Sequence, residues 1–127
     1  QLGNALVAPI VKFVPEGGIA PPTGHMQYPG TISLREETFE ALLADVCSSL
    51  KQHGFTDIVL IGDHGANQRG MRAVAERLNK QWRGPRSVHF IPEYYAQDMW
   101  SYDYLKTLGV YQWPDVRSEA RAGIHDD

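Results

Sequence analysis

The chain has 127 residues, 43% hydrophobic and 21% charged, the balance of one ordinary globular domain. Its net charge of −3 argues against a general nucleic-acid binder, because phosphate contacts normally need a basic surface. The lone cysteine, Cys47, excludes an internal disulfide, and no run approaches the ~20 apolar residues that span a bilayer.

Residues 5–14, ALVAPIVKFV, predict a strand, with Pro9 placing it at an edge or marking a bulge. Residues 15–31 are dense in proline and glycine. A stretch of that length inside a compact domain points to an ordered, site-lining loop that holds His25, Met26 and Tyr28 together. Ser33 and Glu36 have the spacing of a capping box. The helix they open places Phe39, Leu42, Leu43, Val46 and Leu50 on one face, with Cys47 a half-buried structural thiol. Gly54 supplies a left-handed stop, and His53 before it suits a helix C-terminus.

Residues 57–62, DIVLIG, predict a short strand covered on both faces. A second helix follows over about 67–83, capped by Asn67, with Met71, Val74, Ala75, Leu78 and Trp82 inward and its basic residues on a solvated face. Residues 87–92 predict a third strand, ended by Pro92, in which His89 is a satisfied structural histidine. Residues 93–113 hold five tyrosines and two tryptophans, which suit a helix and loop over a pocket or a subunit interface. This alternation indicates an α/β layered fold with at least part of the sheet parallel and a right-handed crossover.

The stretch IGDHGANQRG, residues 61–70, carries the candidate chemistry. In open α/β sheets ligands bind beyond the carboxyl ends of the strands, where Asp63, His64 and Asn67 leave DIVLIG. Gly62 and Gly65 let the backbone turn sharply and a ligand approach. Imidazole is the commonest metal ligand, and a neighbouring carboxylate can share the ion or orient the ring. A lone Asp-His pair does not make a metal site, which needs three or more protein ligands. From this turn alone, a capping role and metal or acid–base chemistry both stay open.

The wider pattern resembles the creatininase (creatinine amidohydrolase) family. It consists of Gly24-His25, Pro29-Gly30-Thr31, a capped helix, His53-Gly54-Phe55, an apolar strand and Gly62-Asp63-His64-Gly65-Ala66-Asn67 in place of an NGHGGN-type turn. The resemblance covers roughly residues 5–92, with a further match in AGIHDD, residues 122–127. It implies a three-layer α/β/α domain with a mostly parallel sheet. It further implies a metal-dependent hydrolase acting on a C–N bond of a small cyclic or linear amide. His64 would bind a divalent metal, zinc first with manganese or iron as alternatives, and Asp63 and Asp126 are possible further ligands. His125 would transfer the proton, while His25, Asn67 and Gly65 would contact substrate.

Three departures from the family pattern stand out. The family's Glu-x-His and Asp ligand motif would lie upstream of this chain, Ala66 replaces a glutamate ligand of some members, and Asp63 is an extra carboxylate. Residues 1–127 are therefore expected to be a single, incomplete domain cut from a longer, oligomeric and cytoplasmic protein. The expected partners are a small amide substrate and further copies of the chain, with no nucleic acid or membrane. Rival expectations are a non-catalytic scaffold or binding module on the same fold, or a different hydrolase substrate such as a formamide.

Overall fold

The computed structural model describes residues 3–109, with the side chains of residues 97–102 excepted. Helix α1 (Glu36–Gln52), strand β1 (Ile58–Leu60), helix α2 (Gly65–Trp82), strand β2 (Val88–Phe90) and helix α3 (Glu93–Thr107) follow one another along the chain. β1 and β2 pair in parallel, Ile58 opposite Val88, Val59 opposite His89 and Leu60 opposite Phe90, with α2 as the crossover. Backbone bonds from Ile58 N–H to Ser87 O (2.7 Å) and from Ile91 N–H to Leu60 O (3.1 Å) extend the pairing at both ends. The α/β expectation with parallel pairing holds for these elements.

Apolar periodicity builds the core. Phe39, Leu43 and Cys47 of α1 meet Met71, Val74, Ala75 and Leu78 of α2 over Ile58 and Val88 of the sheet, all buried. Gly70 lets the helices close. A side chain there would meet the Phe39 ring at 2.8 Å. The left-handed stop after α1 forms as expected: Gly54 has φ +91°, with Gly54 N–H bonded to Lys51 O and Phe55 N–H to Leu50 O.

Several expectations give way to local competition. Residues 5–14 form no strand and pair with none among the described residues, and Leu6, Val7 and Ile10 stand exposed. The buried stripe of α1 is Phe39, Leu43 and Cys47, while Leu42 and Val46 stay exposed, because α2 meets the helix one position round from the expected face. Cys47 is fully rather than half buried. Ser33 does not cap α1. The helix starts at Glu36 with Arg35 as its cap residue, and the Ser33 hydroxyl is taken up by the loop before it. β1 alternates between buried Ile58 and exposed Val59, since both packed helices lie on one face of the described sheet. Asn67 is not the cap of α2; His64 is, and the helix opens two residues earlier than expected.

Candidate metal centre

The loop after Pro15 is drawn into shape by a few strong backbone bonds. The Ser33 hydroxyl accepts from Glu16 N–H at 2.9 Å and donates to Gly17 O at 2.8 Å. His25 N–H donates to Glu16 O at 2.8 Å, setting residues 16 and 25 side by side. Gly24 makes this approach possible: its φ is +56°, and a side chain there would meet Glu16 O at 2.8 Å. A turn of 3-10 helix, Gly24–Gln27, then holds His25 in place. The long Pro/Gly stretch is therefore an ordered loop, as its composition and length suggested.

The other side of the site comes from the end of β1. His64 sits in extended conformation (φ −112°, ψ 138°) as the cap residue of α2. Gln68 fixes the turn by donating from Nε2 to Gly62 O (2.9 Å) and His64 O (3.0 Å). The His64 side chain is thereby aimed at the loop, where its ring stacks on His25 with 5.4 Å between centroids.

Glu16 joins the two imidazoles. Its Oε2 bonds His25 Nδ1 at 2.8 Å, and its Oε1 lies 3.6 Å from His64 Nδ1. All three donors are partly buried and lie within 4.8 Å of one another. His64 Nδ1 is buried with no hydrogen-bond partner, an orphaned atom whose desolvation is uncompensated without a cation or proton between it and the carboxylate. The two separations run to different oxygens of the one carboxylate, so Glu16 faces both imidazole nitrogens at once. Two imidazole nitrogens and one carboxylate oxygen form a donor set suited to zinc, with manganese or iron compatible. The residues present thus fit a divalent metal.

A groove of about 610 Å³ runs between Gly17 and Gly18 of the loop, Arg35 and Glu36 at the start of α1, and Gly65 and Arg69 at the start of α2; Glu16, His25 and His64 are not among its lining residues. The Arg69 guanidinium is held at its rim by Glu36 Oε1 at 3.3 Å.

The structure brings His25 and His64 together, with Gly65 in the groove wall. Asp63 is exposed next to His64 and lies outside the three-donor cluster. Asn67 is buried in the first turn of α2, its Oδ1 unpartnered. His125 and Asp126 lie outside the described residues. His89 is satisfied as expected, bonded through Nε2 to Asp57 Oδ1 at 2.9 Å on the strand, away from the cluster. Hydrogen bonds from Thr56 first and His89 second hold the Asp57 carboxyl below its usual range. Glu16 and Gln68 escaped sequence reasoning. For Gln68 the signal was present, four residues after the His of a strand-to-helix turn; for Glu16, lodged before two glycines, only the folded loop reveals it.

Two imidazoles and a carboxylate converging where a parallel strand feeds a helix define a candidate metal centre of an α/β protein. The chain belongs to the creatininase family: the family model described as creatinine amidohydrolase matches residues 1–125. No curated protein and no solved structure gives a significant match to the chain. Family membership suggests a metal-dependent amidohydrolase.

Proposed function

We propose that this chain carries a metal centre of an amidohydrolase that cleaves a C–N bond in a small cyclic or linear amide. The observation that supports this most is the buried, unpartnered Nδ1 of His64 facing Glu16 and His25 at the carboxyl end of β1. Glu16, His25 and His64 would hold a divalent cation, zinc by donor type, which would supply Lewis acidity for the amide carbonyl and a lowered pKa for water.

The protein residues do the rest. Gln68 and the cap position hold the His64 ring at the sheet edge, and Glu16 contributes one negative charge that offsets half of a dication's. His125 is the residue proposed for proton transfer to the leaving nitrogen, with Asp63 and Asp126 as further carboxylates near the metal. The three-layer α/β/α arrangement and homo-oligomeric assembly belong to the same proposal.

Metal analysis after dialysis against zinc tests it. About one tightly bound zinc per chain is expected, with affinity falling at least about tenfold in His64→Ala and in Glu16→Gln. A chain that retains no zinc, or retains it equally in both variants, overturns the assignment and leaves a scaffold on the same fold.

A further inference from the structure

We propose that the Tyr95 hydroxyl is a substrate-contacting hydrogen-bond donor at this centre, directed at the oxygen of a bound amide. The proposal rests on the metal-centre reading above and adds a residue from a second strand end. Tyr95 lies in the first turn of α3, directly after β2, and Ile91 N–H bonded to Leu60 O keeps the ends of β1 and β2 side by side. The turn is pinned by Tyr95 N–H and Ala96 N–H, both bonded to Pro92 O at 3.1 Å. His64 follows the carboxyl end of β1 and Tyr95 that of β2, two neighbouring strand ends.

The phenol reaches back over Gly65. Its oxygen lies 2.9 Å, and its Cζ 3.4 Å, from where a side-chain carbon on residue 65 would stand. Residue 65 thus has to be glycine for this hydroxyl to occupy its place. Because Gly65 follows His64 directly, the hydroxyl stands within about 8 Å of the His64 Cα. Gly65 also lines the groove between the loop and the starts of α1 and α2. The hydroxyl has no hydrogen-bond partner among the described residues, although Tyr95 is half-buried.

A phenol O–H both donates and accepts. A fixed donor of this kind is most effective where charge develops on a carbonyl oxygen. The hydroxyl keeps its proton throughout; its contribution is a hydrogen bond that strengthens as the oxygen becomes negative. A merely structural Tyr95 would need only its ring against Gly65.

Acetohydroxamate, which chelates a metal and presents an amide-like oxygen, is a suitable probe on the cobalt(II)-loaded chain, with binding read from the cobalt visible spectrum. Tyr95→Phe is expected to weaken acetohydroxamate roughly tenfold, the loss of about one hydrogen bond, with cobalt affinity and thermal stability unchanged. Tyr94→Phe, 42% exposed in the same turn, is expected to change nothing. Gly65→Ala displaces the phenol without backbone strain, since Gly65 is not in the left-handed region. It is expected to match the loss in Tyr95→Phe, and the double variant to be no worse than either, as for two changes acting through one group. Full affinity in Tyr95→Phe, or no acetohydroxamate binding by the cobalt-loaded chain, overturns the role of Tyr95 and leaves the metal centre standing. Failure of the unaltered chain to bind cobalt overturns the metal centre itself, and the role of Tyr95 with it.

Discussion

Cys47 and Glu16 illustrate what one side chain can and cannot disclose before folding. The Cys47 thiol is fully enclosed between α1, α2 and the sheet, and burial alone pushes its pKa up from 9.0 to about 11. The native state therefore holds this proton while the unfolded chain begins to lose it from about pH 9. Between those limits the native state binds more protons, so stability is full below about pH 9 and falls as pH rises towards 11. Urea midpoints at pH 8, 9, 10 and 11 measure this decline, and Cys47→Ala should remove the part due to the thiol while lowering stability at pH 8 through the small cavity it leaves. Cys47 was legible as a structural residue because it repeats at helical spacing with Phe39 and Leu43. Glu16 was not, because nothing periodic surrounds it. Its meaning arises only when Gly24 lets the loop fold back and sets His25 against its carboxylate.

Elements were legible where apolar spacing is long and regular, as in α1 and α2, and less so where partners decide. Residues 5–14 carry the β-branched composition of a strand, yet a strand exists only through a neighbour's ladder of hydrogen bonds, and among the described residues the segment has a single backbone bond to a neighbour, Leu34 N–H to Val14 O at 3.0 Å. Capping residues misled for a related reason. The Ser33 hydroxyl has one proton and few acceptor sites, and the loop bonds to Glu16 and Gly17 occupy them in preference to the helix end. Between α2 and β2 the decisive contact is a single amide. Asn79 donates to Val88 O at 2.7 Å and accepts from Ser87 N–H at 2.9 Å and Val88 N–H at 3.0 Å. It thus serves the backbone of β2 much as another strand would. Asn79→Ala strands these three backbone groups in a half-buried seam, and a loss of about 1–3 kcal/mol is expected in chemical denaturation. Hydrogen exchange at Ser87 and Val88 should quicken more than at Ile58, whose bond to Ser87 O is made by the sheet itself.

For the molecule as a whole, the α/β alternation and the position of His64 at the carboxyl end of β1 followed from the order of helices and strands. The completed donor set did not, because it joins a glycine-rich loop to the sheet edge across α1 and β1, and such a meeting leaves no mark in local spacing. This long-range junction has a thermodynamic consequence. His64 stands on the packed scaffold, whereas Glu16 and His25 stand on a loop tied mainly by Ser33 and its own backbone bonds. A divalent cation bridging the three would couple loop order to global stability, since ligand binding to the folded state alone adds RT ln(1 + [L]/Kd). At a free zinc concentration one hundred times Kd, stability should rise by about 2.7 kcal/mol, read as a higher melting temperature. Hydrogen exchange should locate the effect, with protection rising across residues 15–31 as well as at the start of α2. At the same zinc concentration His64→Ala, with a site at least about tenfold weaker, should gain no more than about 1.4 kcal/mol, with a correspondingly smaller rise in protection. Stabilisation that persists undiminished in His64→Ala, or protection confined to α2 with the loop unchanged, would mean that zinc binds without joining the loop to the sheet.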